Sequence, residues 1–238
     1  MKVEIWSDFT CPFCYIGKVN FEQALKQFTY KDCVTVQYYS FQLDQELPFH
    51  EATTMKEAML HKYEQKTSGC HEDVIVQIEE EASRVGLSLK LEKMYYTLTN
   101  DVHRLTKLAK KEGKEKEFVD LVFERYFNDC YHIGEKETLK QLARELQLDI
   151  EHVEETLSMN CFNRSVKEDI ELAEDLGIDS VPFFIINEQY ALVGAQPVST
   201  FLETLYEVWE QEGHRPSSLE NVGTKTHSFC TGDDCELS

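Results

Sequence analysis

Lys2-Val3-Glu4-Ile5-Trp6-Ser7-Asp8-Phe9-Thr10-Cys11-Pro12-Phe13-Cys14-Tyr15 is the stretch that decides the fold. Lys2–Trp6 is short and apolar and reads as a strand. From Cys14 to about Phe28 the apolar residues Tyr15, Val19, Ala24, Leu25 and Phe28 recur at helical spacing. Pro12 suits the first helical turn, where its missing N–H costs nothing. Cys11 then falls at the helix N-terminus, beside unpaired backbone N–H groups and the positive end of the dipole. Both favour a thiolate, which makes Cys11 the expected attacking sulfur. Cys14, nearly one turn along the same face, is expected to be more buried and to resolve a mixed disulfide by attacking Cys11. A static disulfide, two inert thiols and half of a zinc site are the competing readings. The strand-then-helix context favours redox chemistry over all three. Phe13 brings neither donor nor charge, so the motif does not set a reduction potential.

Moving outward, Val34-Thr35-Val36-Gln37-Tyr38-Tyr39-Ser40-Phe41 is rich in β-branched and aromatic residues and predicts a second strand. Strand, helix and strand make a βαβ unit with a right-handed crossover. Between Thr53 and Leu157 the pattern is helical throughout. Helices are expected at Thr54–Lys66, Glu72–Val85, Asn100–Lys111, Glu115–Asn128 and Thr138–Leu146, with Thr138 as an N-cap. Asn163–Leu176 is an amphipathic helix closed by Gly177. Its acids Glu168, Asp169, Glu171, Glu174 and Asp175 read as a solvated face. Val181–Ile186 and Tyr190–Val193 form a hairpin around Asn187-Glu188. Val198–Gln211 is a last helix, and a polar tail follows.

This order, with the helical block removed, is that of a thioredoxin fold: an α/β protein with a large inserted helical subdomain. The expected domains are 1–52 with 159–212, a discontinuous thioredoxin-like unit; 53–158, the insertion; and 213–238, a C-terminal tail. Val181-Pro182 opens a strand with a residue that lacks a ladder N–H, and X–Pro bonds alone have ready access to cis. In such a fold this loop faces the Cys11/Cys14 turn and offers backbone groups to an extended substrate.

Composition sets limits on partners. The chain has 238 residues, 24 basic against 44 acidic, for a formal net charge of −20. That balance argues against nucleic acid and anionic membranes, which need clustered Lys and Arg. Eight cysteines without an apolar leader at Met1-Lys2 do not read as a disulfide framework, and a cytoplasmic location is expected. Cys33, Cys70, Cys130 and Cys161 are isolated, whereas Cys11/Cys14 and Cys230/Cys235 are close pairs. Cys230-Thr231-Gly232-Asp233-Asp234-Cys235 is read as an auxiliary dithiol exchanging electrons with Cys11/Cys14, against two incidental thiols. No metal is expected: a joint zinc site on all four paired cysteines is possible by ligand count but suits the helix start poorly. Cys70-His71 and Cys130-Tyr131-His132 lack partner spacing. Glu4 or Asp8 is a proton acceptor for Cys14 if buried, although carboxylates at such places are usually solvated. Asn100, His103 and Arg104 share one helical face and are expected either at the surface or lining a cleft.

Several of these segments together resemble the FrnE-like branch of the DsbA-type oxidoreductases: Glu4-Ile5-Trp6-Ser7-Asp8-Phe9 with Cys11-Pro12-Phe13-Cys14-Tyr15-Ile16-Gly17, Ser40-Phe41-Gln42-Leu43-Asp44, Asn100 with His103-Arg104-Leu105, and Ser180-Val181-Pro182-Phe183-Phe184. The resemblance covers about residues 2–210. It implies thiol–disulfide oxidoreductase or isomerase activity on protein thiols, with Cys11 as nucleophile, Cys14 as resolving cysteine and Pro182 as a cis-proline. It also implies a substrate-facing role for Pro12, Phe13, Val181, Asn100, His103 and Arg104, and a thiol reductant or oxidant as partner. Some members of the branch carry a second C-x4-C pair. No cofactor beyond the redox disulfide is implied, with glutathione a possible cosubstrate. The wider group includes kappa-class glutathione transferases and chromene-carboxylate isomerases, which usually have serine at the nucleophile position. A glutathione-dependent transferase or isomerase, and a non-catalytic adaptor using its acidic helical block, are the alternatives.

Overall fold

The computed structural model describes residues 1–46, 53–66 and 72–213. The first strand, β1 (Lys2–Ser7), leads into α1 (Pro12–Gln27), which starts at Pro12 with Cys11 as its N-cap residue. A 3₁₀ turn, Lys31–Cys33, then precedes β2 (Thr35–Ser40). The helical block follows as α2 (Met55–Lys66), α3 (Glu72–Arg84), α4 (Asn100–Lys111), α5 (Glu115–Phe127), α6 (Lys136–Glu145) and α7 (Ile150–Ser158). The chain returns through α8 (Asn163–Asp175), β3 (Phe183–Ile186), β4 (Tyr190–Val193) and α9 (Val198–Gln211).

The sheet has the order β2-β1-β3-β4, with β1 parallel to β2 and antiparallel to β3. This is the expected βαβ unit extended by the hairpin. Asn187 and Glu188 both take positive φ, 50° and 58°, the pairing that matches the twist of a tight hairpin. Side chains alternate between two faces. Val3 and Ile5 of β1 join Tyr38, Phe184 and Ile186 on the face covered by α1 and α9. Trp6 joins Tyr39, Phe183 and Ile185 on the opposite face, against Ala173 of α8 and Ile178.

The first of these faces does not stop at the sheet. Its core runs without a break into the helical block, through Phe9, Tyr15, Phe123 and Phe127. Tyr15 of α1 stacks on Phe123 and Phe127 of α5 at centroid distances of 5.3 and 5.5 Å. Across the same boundary, buried Lys18 of α1 pairs with Asp120 of α5 at 2.5 Å and with Glu22 at 3.0 Å.

Several local expectations need correction. Thr138 is not an N-cap: α6 starts two residues earlier, after Glu135, because the chain is already turning there. Helix α7 is an addition to the expected helices; it is short, and its signal is Asp149, which accepts from the N–H groups of Glu151 and His152. Gly177 closes α8 as expected, with φ 70°. The Ile178 N–H bonds Ala173 O at 2.8 Å and the Gly177 N–H bonds Glu174 O at 3.0 Å, the pattern of a Schellman end. The acidic face of α8 is not solvated throughout. Asp169 is buried, accepts from Ser40 N at 2.6 Å and is paired with Lys107 of α4. Glu4 is likewise buried, held by the Tyr39 hydroxyl at 2.8 Å and by Lys2 Nζ at 2.6 Å.

Candidate active site

Cys11 and Cys14 sit where the central strand hands over to α1. Residues Ser7–Thr10 turn the chain, and the Cys11 N–H closes that turn on Asp8 O at 3.2 Å. The Cys14 N–H then bonds Cys11 O at 3.1 Å, the first bond of the helix. Pro12 occupies the opening helical turn, where no hydrogen bond is lost. Both thiols are free. Cys14 is the deeper of the two, at 1% exposure against 6% for Cys11.

Burial pushes the Cys14 thiol well above its ordinary range, and its contact with Cys11 adds to the rise. Hydrogen bonds from Ser7 and from the Asp8 backbone oppose it. Cys14 is therefore held as a protonated thiol. Cys11 faces the loop before β3: its Sγ lies 3.7 Å from Val181 O, and the Val181–Pro182 peptide is cis. Phe13, half-buried, flanks the pair.

Gly17, one turn beyond Cys14, sets the spacing between helix and loop. A Cβ there would lie 2.9 Å from Pro182 Cγ and 3.3 Å from Ala195 Cα. Only glycine lets α1 approach the Val181-Pro182 loop this closely. The residue stands in the Cys11–Gly17 segment, yet spacing alone gives no signal of that contact.

Asp8 is buried and joins the site to its surroundings. Its Oδ2 accepts from Leu43 N at 2.8 Å, which pins the Phe41–Asp44 segment beside the turn. The expectation of a solvated carboxylate fails because this loop and α4 close over it. Asn100 Oδ1 accepts from Gln42 in the same loop at 3.2 Å, and its amide reaches Asn163 at 3.3 Å. His103 lies against Phe9 with ring centroids 5.1 Å apart, so the structure brings Asn100 and His103 near the turn. Arg104 points elsewhere. It bonds the carbonyls of Thr156, Met159 and Cys161 and the Asp101 carboxylate. It finishes α7, whose last carbonyls would otherwise be unpaired. Cys230, Cys235, Cys70 and His71 lie outside the described residues. Among the described residues no group of three or more His, Cys, Asp or Glu is arranged to hold a metal, and no helix is long and apolar enough to cross a membrane.

Three comparisons bear on this arrangement. The probable DsbA oxidoreductase of Streptomyces coelicolor superposes with a TM-score of 0.80 at 31% identity, over 100% of this chain and 99% of that one. The uncharacterised protein YwbO of Bacillus subtilis is 27% identical over 190 residues, 79% of this chain and 88% of its own length. The cytosolic disulfide reductase DsbM of Pseudomonas aeruginosa, solved with GSH, shares the fold at a TM-score of 0.61 and 14% identity, over 87% of this chain and all of that one. The family described as the DSBA-like thioredoxin domain matches residues 2–206. The chain belongs to the DsbA-like thioredoxin-domain family.

Proposed function

We propose that this protein is a thiol–disulfide oxidoreductase or isomerase of the FrnE-like branch, acting on protein thiols through Cys11 and Cys14. One observation carries the reading: Cys11 at the start of α1, 3.7 Å from the carbonyl of a cis-proline loop, with a protonated Cys14 directly behind it. In the reducing direction Cys11 thiolate attacks one sulfur of a substrate disulfide and expels the other as a thiolate. Cys14 then loses its proton and attacks Cys11 Sγ, forming the Cys11–Cys14 bond and releasing the second substrate thiolate. Two electrons leave the dithiol and two reach the substrate. The backbone beside Pro182 is where an extended substrate segment would pair.

The proposal includes a reducing, cytoplasmic setting. Cys33, Cys130 and Cys161 are free thiols in addition to the active pair, a pattern that suits a reducing compartment. Glutathione is a fitting reductant of the Cys11–Cys14 disulfide, in parallel with the glutathione-bound DsbM fold relative. Cys230/Cys235 is proposed as a second dithiol in the relay. Sixteen residues lie between Gly213 and Cys230, an extended reach of about 60 Å over the seventeen steps. The acidic surface leaves nucleic acid and anionic membrane outside the proposed partners.

The test is reduction of a protein disulfide such as insulin, with glutathione present. Cys11→Ser should abolish turnover, and Cys14→Ser should accumulate a mixed disulfide on Cys11. Undiminished turnover by Cys11→Ser would sink the mechanism.

A further inference from the structure

Asp8 and His103 are buried polar groups beside the active-site turn that disulfide exchange does not by itself explain. His103 of α4 is 3% exposed, and its Nε2 has no hydrogen-bond partner. Leaving such an atom unpaired costs on the order of 1–3 kcal/mol. Nε2 lies 3.7 Å from Asp8 Oδ1, beyond hydrogen-bond range but within reach of its charge. Asp8 turns that oxygen toward the ring, with only a long contact from Thr10 N at 3.5 Å, while Oδ2 is fixed by Leu43.

The same region holds a cavity of about 10 Å³ lined by Ser7, Tyr38, Ser40, His103, Thr106 and Lys107. That is room for about one water, with the Ser7, Ser40 and Thr106 hydroxyls, the imidazole and Lys107 as its polar groups among apolar walls of Phe9, Val119 and Phe123. Ser7 lines this cavity, and its hydroxyl is placed to act on the Cys14 thiol, holding it down against the effect of burial. A hydroxyl that acts on the thiol and shares a water-sized space with an unpartnered imidazole is the geometry of a proton path. The other groups facing His103 are otherwise occupied. Lys107, on its own helix, is held by Asp169. Tyr38 and Tyr39 of β2, and Tyr126 of α5, are pushed up by burial. Val119 and Phe123 of α5 are apolar. Asp8 is left as the charged neighbour of the ring.

We propose that His103, oriented by Asp8, takes up the proton that Cys14 releases in the resolving step, relayed by the Ser7 hydroxyl through the cavity. The proposal rests on the reading of Cys11 and Cys14 as the exchanging pair. The proton leaves Cys14 Sγ for Ser7 Oγ as the Ser7 proton passes into the cavity and on to the imidazole. The Cys14–Cys11 bond forms, the bond from Cys11 to the substrate sulfur breaks, and the departing thiolate is reprotonated by solvent. In the oxidising direction the protonated imidazole returns the proton to Cys14. A group from the helical block would thus act on a reaction seated in the sheet region.

The experiment separates attack from resolution. Cys11 attack is read by its alkylation rate with iodoacetamide. Resolution is read by stopped flow with a small symmetrical disulfide of a fluorescent thiol, whose second thiol leaves only when Cys14 closes on Cys11. In His103→Gln, alkylation of Cys11 should follow the wild-type pH profile. Release of the second thiol should slow by roughly 10²-fold near neutrality and recover as rising pH lets hydroxide take the proton. Ser7→Ala should show the same displacement with little change in packing, and it decides the matter if His103→Gln fails to fold. Wild-type pH profiles for release in the folded variants would overturn the proposal. So would slowing by the same factor at every pH, which marks a packing role. If wild-type protein releases no thiol at all, the exchange reading itself fails, and that outcome is distinct from a wild-type protein that turns over with no dependence on His103 or Ser7.

Discussion

The two faces of the sheet are held in different ways. On one, Val3, Ile5, Phe184 and Ile186 meet α1 and α9, and the apolar contact continues into the helical block. On the other, a single helix, α8, covers a small cluster around Trp6. There Asp169 does much of the joining: its side chain accepts from Ser40 N and pairs with Lys107, and its carbonyl accepts from Trp6 Nε1 at 3.3 Å. One face depends on buried area, which is non-directional and tolerates small shifts. The other depends on a few polar contacts that hold only in one geometry. The active-site turn hangs between them, with Cys14 on α1 and Ser40, which Asp169 holds, beside the cavity.

Three substitutions would break or sharpen this contrast. The largest effect is expected from Phe184→Ala, which empties a fully buried site between Phe21 and Phe201, at centroid distances of 5.7 and 4.7 Å. It should cost about 3–5 kcal/mol in urea unfolding. Asp169→Asn comes next, at about 2–3 kcal/mol, since it leaves Lys107 without its counter-charge in a largely dry place. Were Asp169→Asn the costlier of the two by the same measurement, the polar clamp rather than apolar area would dominate the sheet. The smallest effect is expected from Gly17→Ala. Crowding against Pro182 should cost about 1–3 kcal/mol, against a gain in helix propensity of about 0.5–1 kcal/mol. Its clearer signature is a change in Cys11 alkylation rate, because the Val181-Pro182 loop must move. An unchanged rate together with a raised Tm would show that the loop yields freely.

Much of the first face was legible in the sequence. Local spacing suffices for a strand, a helix opened by Pro12 and a hairpin with its turn, because each signal lies within a few residues of its effect. The second face was not. Asp169 sits in a run of acids, and nothing local tells it from Glu168 or Glu171. Its partners Ser40 and Lys107 are 129 and 62 residues away. Glu4 fails for the same reason, since its phenol partner is on another strand. Arg104 follows Asn100 by four residues, which suggests a shared face with it and His103, yet a step of one residue turns it about 100° from His103, toward the end of α7. The site shows the same division. The two thiols were legible because their chemistry is carried by adjacent positions. The Gly17–Pro182 approach and the burial of Asp8 depend on elements that meet only after folding.

The position of β1 has a further consequence. Among the described residues it is one of two strands with hydrogen-bonded neighbours on both sides, and it leads directly into the cysteines. Interior strands of this kind open only with the whole fold, whereas edges and hairpin ends open locally. Cys11 is therefore tethered to the part of the chain least prone to fluctuation, and the Val181-Pro182 loop across from it leads directly into β3, which is likewise paired on both sides. Both walls of the substrate groove are accordingly anchored on interior strands, and the separation of sulfur from loop is held by the sheet itself.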